Sequence, residues 1–180
     1  MNASEPGILL VPDFYDPGAC AKVRQAMDRA PLSPAEIYAD GYCVDPDVRC
    51  AFDVEISDDV LEEVQRAIDA ILPDVSGFFS IPLSSDEGPS FVRYVVGGFY
   101  RRHRDVAPQW NDDFPRRISV VLALSSAGQH CEGGALRVYR PEPFDIVPRA
   151  GTLVAFPAHL SHEVLPVTEG VRDVVVDWLY

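Results

Sequence analysis

The chain first becomes apolar at Ile8-Leu9-Leu10-Val11, a short run that predicts a buried strand turning at Pro12-Asp13. Asp16 then offers an N-cap oxygen and Pro17 the fixed φ of a first helical position. Ala19, Val23, Ala26, Met27 and Ala30 recur at helical spacing, so a helix of about four turns is expected. Ser33-Pro34-Ala35-Glu36 has the form of a capping box and predicts a further helical turn. A strand is expected around Ala51–Ile56. Ser57 precedes Asp58 and Asp59, which suit the positive end of a helix. Val60, Leu61, Val64, Ile68, Ile71 and Leu72 follow as one apolar stripe, and Pro73 is expected to end that helix. Both helices are expected to pack on the outside of a sheet and to carry no chemistry.

The stretch from Pro82 to Pro89, with Ser84, Ser85, Asp86, Glu87 and Gly88, reads as a loop, and beyond it the pattern changes. Short β-rich runs separated by Gly and Pro turns predict eight strands, near Ser90–Val96, Tyr100–Asp105, Arg117–Ser125, Ala135–Tyr139, Asp145–Val147, Thr152–Ala155, Glu163–Val167 and Arg172–Leu179. Eight is the complement of a jelly roll. The expectation is a mainly β single domain, 1–180, in which N-terminal helices and strands (1–89) buttress a double-stranded β-helix (jelly roll) core at 90–180.

Charge narrows the partners. The net charge is −13, and residues 1–89 carry all of it, with 5 basic and 18 acidic side chains, while 90–180 hold 10 of each. So acidic a surface repels phosphate, which argues against nucleic acid and anionic membrane as partners. No apolar run is long enough to span a bilayer and the start lacks a signal-peptide pattern, so a cytoplasmic location is expected. The four cysteines, Cys20, Cys43, Cys50 and Cys131, fall at irregular spacing and are expected as free thiols. Within the neutral half, Arg101, Arg102, Arg104, Arg116 and Arg117 gather near one candidate site and would attract small anions there.

That site begins at His103-Arg104-Asp105. Side chains two apart on an extended chain share a face, so His103 and Asp105 can grip one ion from one side. His162, at the start of the Glu163-Val164-Leu165-Pro166-Val167 strand, is available as a third ligand. His159 lies in the preceding Pro157-Ala158 turn, and His130-Cys131-Glu132 is expected at an exposed hairpin tip. Two His and one carboxylate on one face of a metal, with open positions opposite, suit non-heme Fe(II). In Arg172–Trp178 one face shows Arg172, Val174, Val176 and Trp178 and the other Asp173, Val175 and Asp177. Arg172 is therefore on the apolar face, where a guanidinium needs an anionic partner; a dicarboxylate has the matching fork geometry.

Residues 90–180 resemble the catalytic jelly roll of 2-oxoglutarate- and Fe(II)-dependent dioxygenases, and most the prolyl-hydroxylase-like branch. The resemblance rests on the ordered set of His103-x-Asp105, Gly133-Gly134-Ala135-Leu136-Arg137-Val138-Tyr139, Pro148-Arg149-Ala150-Gly151-Thr152-Leu153, and His162-Glu163-Val164-Leu165-Pro166-Val167 with Gly170 and Arg172. It implies Fe(II) on His103, Asp105 and His162, with 2-oxoglutarate and O2 as cosubstrates and Arg172 on the distal carboxylate. It also implies Tyr94, Tyr100 and Ser119 near the cosubstrate, although a further Tyr that some relatives place in the strand at 117–125 is missing, Ser119, Val121 and Ala123 being the inward positions. Hydroxylation of a C–H bond of a small molecule, amino acid or peptide side chain, with succinate and CO2 as co-products, would follow. Arg104, Trp110 and Arg116, with Phe114, are candidates for contact with that substrate. A cupin-like metal barrel without 2-oxoglutarate and a non-catalytic β-sandwich interaction module are the competing readings.

Overall fold

The computed structural model describes residues 7–39, 41–84, 86–106 and 116–180. The first half supplies β1 (Leu9–Val11), α1 (Pro17–Met27), β2 (Leu32–Pro34), β3 (Ile37–Tyr38), β4 (Tyr42–Cys43), β5 (Arg49–Cys50), β6 (Phe52–Val54) and α2 (Asp58–Phe79). The second supplies β7 (Ser90–Tyr94), β8 (Phe99–His103), β9 (Ile118–Ala123), β10 (Cys131–Gly133), β11 (Leu136–Arg140), β12 (Glu142–Ile146), β13 (Leu153–Pro157), β14 (His162–Val164), β15 (Val167–Gly170) and β16 (Arg172–Leu179). A seven-stranded sheet, β1-β13-β9-β16-β7-β6-β2, faces a five-stranded one, β12-β11-β14-β8-β5, and every pairing in the two is antiparallel. This is a double-stranded β-helix whose larger sheet is extended at both edges by strands from the first half.

Two apolar layers follow from the two faces of the larger sheet. On the outer face α1 and α2 bury Cys20, Val23, Met27, Val64, Ile68 and Val75 against Val120, Leu122, Leu153 and Val175. On the inner face Val92, Val121, Val154, Phe156 and Val174 meet Leu136, Val138 and Val164 of the smaller sheet. Burial of each such side chain contributes roughly 1.5–3 kcal/mol. The six acids of α2, Asp58, Asp59, Glu62, Glu63, Asp69 and Asp74, are all exposed to solvent and make up a third of the eighteen in the first half.

The helix starts are as expected for α1, where the Asp16 carboxylate accepts the Ala19 amide at 3.0 Å and Pro17 opens the helix; α1 ends at Met27, about a turn early. Four expectations are corrected. Ser33 to Glu36 forms no helical turn: Leu32–Pro34 pairs with β6 as the edge strand, where a proline without an N–H costs no ladder bond. α2 does not stop at Pro73 but runs through it to Phe79, because Pro73 is on the exposed side and Ile71 and Val75 keep the buried stripe continuous; a left-handed Ser80 ends it. Cys131 is buried in β10, paired with β15, rather than at an exposed tip. The expected strand Glu163–Val167 breaks at Leu165-Pro166 into β14 and β15, and among the described residues the second half holds ten strands. The four cysteines are free thiols, as expected.

β16 carries charge into the outer layer as well. Asp173 is fully buried and receives the Arg93 guanidinium at 2.8 and 3.0 Å and Arg24 Nε at 3.1 Å, while Arg93 also reaches Asp28 at 2.7 Å. α1, β7 and β16 are thus tied at one carboxylate. Asp177, also fully buried, is not compensated: one oxygen accepts the Trp178 amide at 2.7 Å and the other has no partner. Burial, with Asp86 and Glu87 nearby, pushes its carboxyl up to about 7. Since an unfolded Asp ionises near 3.8, the unfolded state releases its proton first, and stability falls as pH rises from about 4 to 7 and then levels. Asp177→Asn is expected to remove this slope, gaining about 2–4 kcal/mol at pH 8 and little at pH 4, as measured by urea unfolding across that range.

Candidate active site

The two histidines are brought together by strand register. β8 and β14 pair antiparallel with His103 directly opposite His162, so both imidazoles stand on the inner face of the smaller sheet, their centroids 4.2 Å apart. Each ring is oriented by its own backbone: His103 Nδ1 lies 2.8 Å from the Arg101 carbonyl and His162 Nδ1 2.9 Å from that of Leu160. A carbonyl only accepts, so Nδ1 carries the hydrogen in both rings and both Nε2 atoms present lone pairs. Asp105, just beyond the end of β8, is anchored by its amide to the Ala158 carbonyl at 3.0 Å. Its oxygens lie 3.4 Å from His103 Nε2 and 3.5 Å from His162 Nε2. Ser119, inward-facing on β9, donates its hydroxyl to Asp105 Oδ2 at 2.6 Å. The structure therefore places the Ser119 hydroxyl on the carboxylate.

One donor atom from each of His103, Asp105 and His162 falls within 4.8 Å of the others. Such a grouping lets one ion be shared by all three, and the set of two neutral imidazoles and one carboxylate suits a divalent transition metal. Burial raises the Asp105 carboxyl, but His162, His103 and the Ser119 hydroxyl outweigh it and hold the group well below the usual carboxylate range. Burial lowers His162, which favours its neutral form. Both shifts favour the ligating forms. His159 is exposed in its turn, away from these donors.

The three donors line a cavity of about 270 Å³ between the sheets. Along β16 it is walled by Arg172, Val174, Val176 and Trp178, the face expected from the alternation. Arg172 is buried, lies 5.0 Å from the Tyr94 ring, and has a buried Nη1 without a hydrogen-bond partner. Burial lowers its pKa, with Tyr94 acting against that. Gly134, at φ +65°, packs on the stem of this arginine; an added Cβ would stand 2.7 Å from Arg172 Cδ. That is a reason for the second glycine of the Gly133-Gly134 pair. Tyr100 stacks on His103 at 3.6 Å and 16°, and burial pushes its hydroxyl up to about 12.

Of the basic cluster, only part reaches the cavity. Arg104 and Arg116 line it, Arg116 held by Glu87 in a double contact of 2.5 Å and stacked 3.7 Å over Trp178. Arg102 lies over Tyr139 and Arg101 over Phe99 instead. Trp110 and Phe114 fall outside the described residues. Sequence reasoning missed Arg49, whose guanidinium covers the other side of Tyr100 at 4.9 Å. It sits on β5 and reaches the site through a pairing with β8 that no local pattern announces.

A double-stranded β-helix with a facial His/Asp/His set beside a buried, unpaired arginine defines a non-heme metal site of the oxygenase type. Residues 89–180 match the family model of the 2OG-Fe(II) oxygenase superfamily, and the chain belongs to that superfamily. It is similar to a PKHD-type hydroxylase of Rippkaea orientalis, 35% identical over 91 residues, which are 49% of this chain but only 40% of that protein. It is similar to another of Sphingopyxis alaskensis, 29% identical over 156 residues, covering 82% of this chain and 70% of the relative. Among solved structures it resembles a Pseudomonas putida prolyl-4-hydroxylase, with a TM-score of 0.74 and 26% identity over 96% of this chain and 91% of that one.

Metal binding is checked by calorimetry with Mn(II) or anaerobic Fe(II). One ion per chain is expected, with binding lost in His162→Ala and weakened about 10–100-fold in Ser119→Ala, since the carboxylate then loses the donor that orients it. Full affinity in His162→Ala would remove the site.

Proposed function

We propose that the chain is a Fe(II)- and 2-oxoglutarate-dependent dioxygenase that hydroxylates an unactivated C–H bond of a small molecule, amino acid or peptide side chain. The observation that carries this is the pairing, in one cavity, of two imidazole Nε2 lone pairs and a carboxylate with a buried guanidinium whose Nη1 lacks a partner. A metal barrel without 2-oxoglutarate would leave that arginine unexplained, and a non-catalytic sandwich would leave both unexplained. His103, Asp105 and His162 would hold the Fe(II). When bound, iron supplies the redox chemistry in which one O2 converts 2-oxoglutarate to succinate and CO2 and places its second oxygen on the substrate carbon.

The protein's own contributions are positional. Arg172 receives the distal carboxylate of 2-oxoglutarate, which meets both its charge and its unmet donor. Tyr94 lies against the guanidinium and limits where it can turn. Val121, Leu136, Val164 and Val174 make that end of the cavity dry, which strengthens the ion pair and excludes water from the reacting centre. Ser119 and the two backbone carbonyls fix the ligand orientation before any cosubstrate arrives. Arg104, Arg116 and Trp178 border the substrate end, and the PKHD-type and prolyl-4-hydroxylase names of the relatives make a peptide side chain one candidate there.

Metal-dependent release of succinate from 2-oxoglutarate is the direct assay. Following the metal-to-ligand absorption band under nitrogen, Arg172→Ala is expected to weaken 2-oxoglutarate binding about 100-fold, the worth of a charge-assisted pair, and Arg172→Lys less, because it keeps the charge but loses the fork. Iron affinity should stay nearly constant in both. Unchanged affinity in Arg172→Ala would move the carboxylate site elsewhere.

A further inference from the structure

A second guanidinium with an unmet donor, that of Arg49, lines the same cavity as Arg172. Arg49 projects from β5 onto the Tyr100 ring, and its side chain is only 13% exposed. Its Nη1 donates to the Glu36 carbonyl at 2.7 Å, while Nη2 stands 3.7 Å from Asp53, a half-exposed carboxylate too distant for a hydrogen bond. Its Nε is buried and has no partner. Among the described residues the Tyr100 hydroxyl is likewise without a hydrogen bond, although Tyr100 lines the cavity and lies flat on the metal-side imidazole of His103. Two donors of adjacent side chains are therefore unspent beside the candidate metal centre.

Charge points the same way. Arg104, between the ligands His103 and Asp105 at the end of β8, lines the cavity and makes only a 3.4 Å contact with the Ser161 hydroxyl, with no carboxylate partner among the described residues. Arg116 is already neutralised by Glu87. Among the described residues the carboxylates lining the cavity are Asp105 and the exposed Glu36. This side of the cavity thus offers the unmet Nε of Arg49, the Tyr100 hydroxyl and the exposed guanidinium of Arg104, a set of donors that suits an anionic oxygen.

Building on the oxygenase reading above, we propose that the substrate to be oxidised is recognised through a carboxylate, received by Arg49 with the Tyr100 hydroxyl as second donor and Arg104 as the second positive charge. The substrate class is a carboxylic acid, such as a free or N-acylated amino acid. Arg49 touches the substrate and not the metal, and through its stacking on Tyr100 it places that carboxylate beside the imidazole of His103. Arg172 and Arg49 then receive one carboxylate each within one cavity.

The test uses the full chain loaded with Mn(II) and saturating 2-oxoglutarate under nitrogen, so that the Arg172 end is filled. N-acetyl amino acids and their matched N-acetyl amino acid amides are titrated while tryptophan fluorescence is followed, Trp178 lying in the cavity wall. The acids are expected to bind about 10–100-fold more tightly than the amides, as one charge-assisted contact would give. Arg49→Gln should abolish that preference and Arg49→Lys should keep part of it, with circular dichroism confirming that each variant is folded. Equal binding of acids and amides, no binding of any acid to millimolar concentration, or an unchanged preference in Arg49→Gln overturns the proposal. If the 2-oxoglutarate absorption band of the Fe(II) protein forms while acids and amides bind alike, this inference alone fails; if no band forms, the oxygenase reading beneath it fails.

Discussion

The pairing of β8 with β14 is the constraint on which the site depends. Because side chains on paired strands point to a common face only when their register agrees, setting His103 opposite His162 puts both imidazoles over one point. Everything else at the centre refines that point. The backbone carbonyls two residues earlier choose the tautomers, and Asp105 closes the face from the strand end under the hold of Ser119. The ligating geometry is built from ladder hydrogen bonds and side chains already locked by packing, so little conformational freedom remains to be lost when an ion enters.

Polarity is distributed by face, and the distribution explains the energetics. The outer layer contains a buried carboxylate, Asp173, that is fully answered by Arg93 and Arg24. The inner layer contains Arg172 and Arg49, each with a donor left open. A buried donor without its partner is unfavourable, and folding leaves Nη1 of Arg172 and Nε of Arg49 unmet. Such open donors mark where small molecules are expected to complete the structure, whereas the Asp173 cluster marks where the chain completes itself.

Much of the fold was legible from period alone. The two-residue alternation assigned Arg172 to the same face as Val174, Val176 and Trp178, put His103 and Asp105 within reach of one point, and favoured His162 over His159; the relevant contacts are local or lie along one strand. The first helix could be read from Asp16 and Pro17. What was not legible depends on partners distant in sequence. Arg49 joins the site only through the β5–β8 pairing, and the Ser119 hydroxyl finds Asp105 only once β9 and β8 face each other across the cavity. The apparent capping box at Ser33 lost to an available sheet edge, and Pro73 did not end α2 because the unmade hydrogen bond faces water while the apolar stripe continues. In both, tertiary packing outweighed a local signal.

β16 separates two tasks on a single strand. Its even-numbered side chains shape the cavity, and its odd-numbered ones, Asp173, Val175 and Asp177, belong to the layer beneath the helices. A change of chemistry at Val174, Val176 or Trp178 can therefore reshape what the cavity admits without touching the support behind it, and stabilising changes at Asp177 can be made with the cavity left alone. The same alternation makes the strand intolerant of insertion: one added residue inside it would reverse the faces of every position on one side of it, turning acids toward the cavity or Arg172 toward the helices.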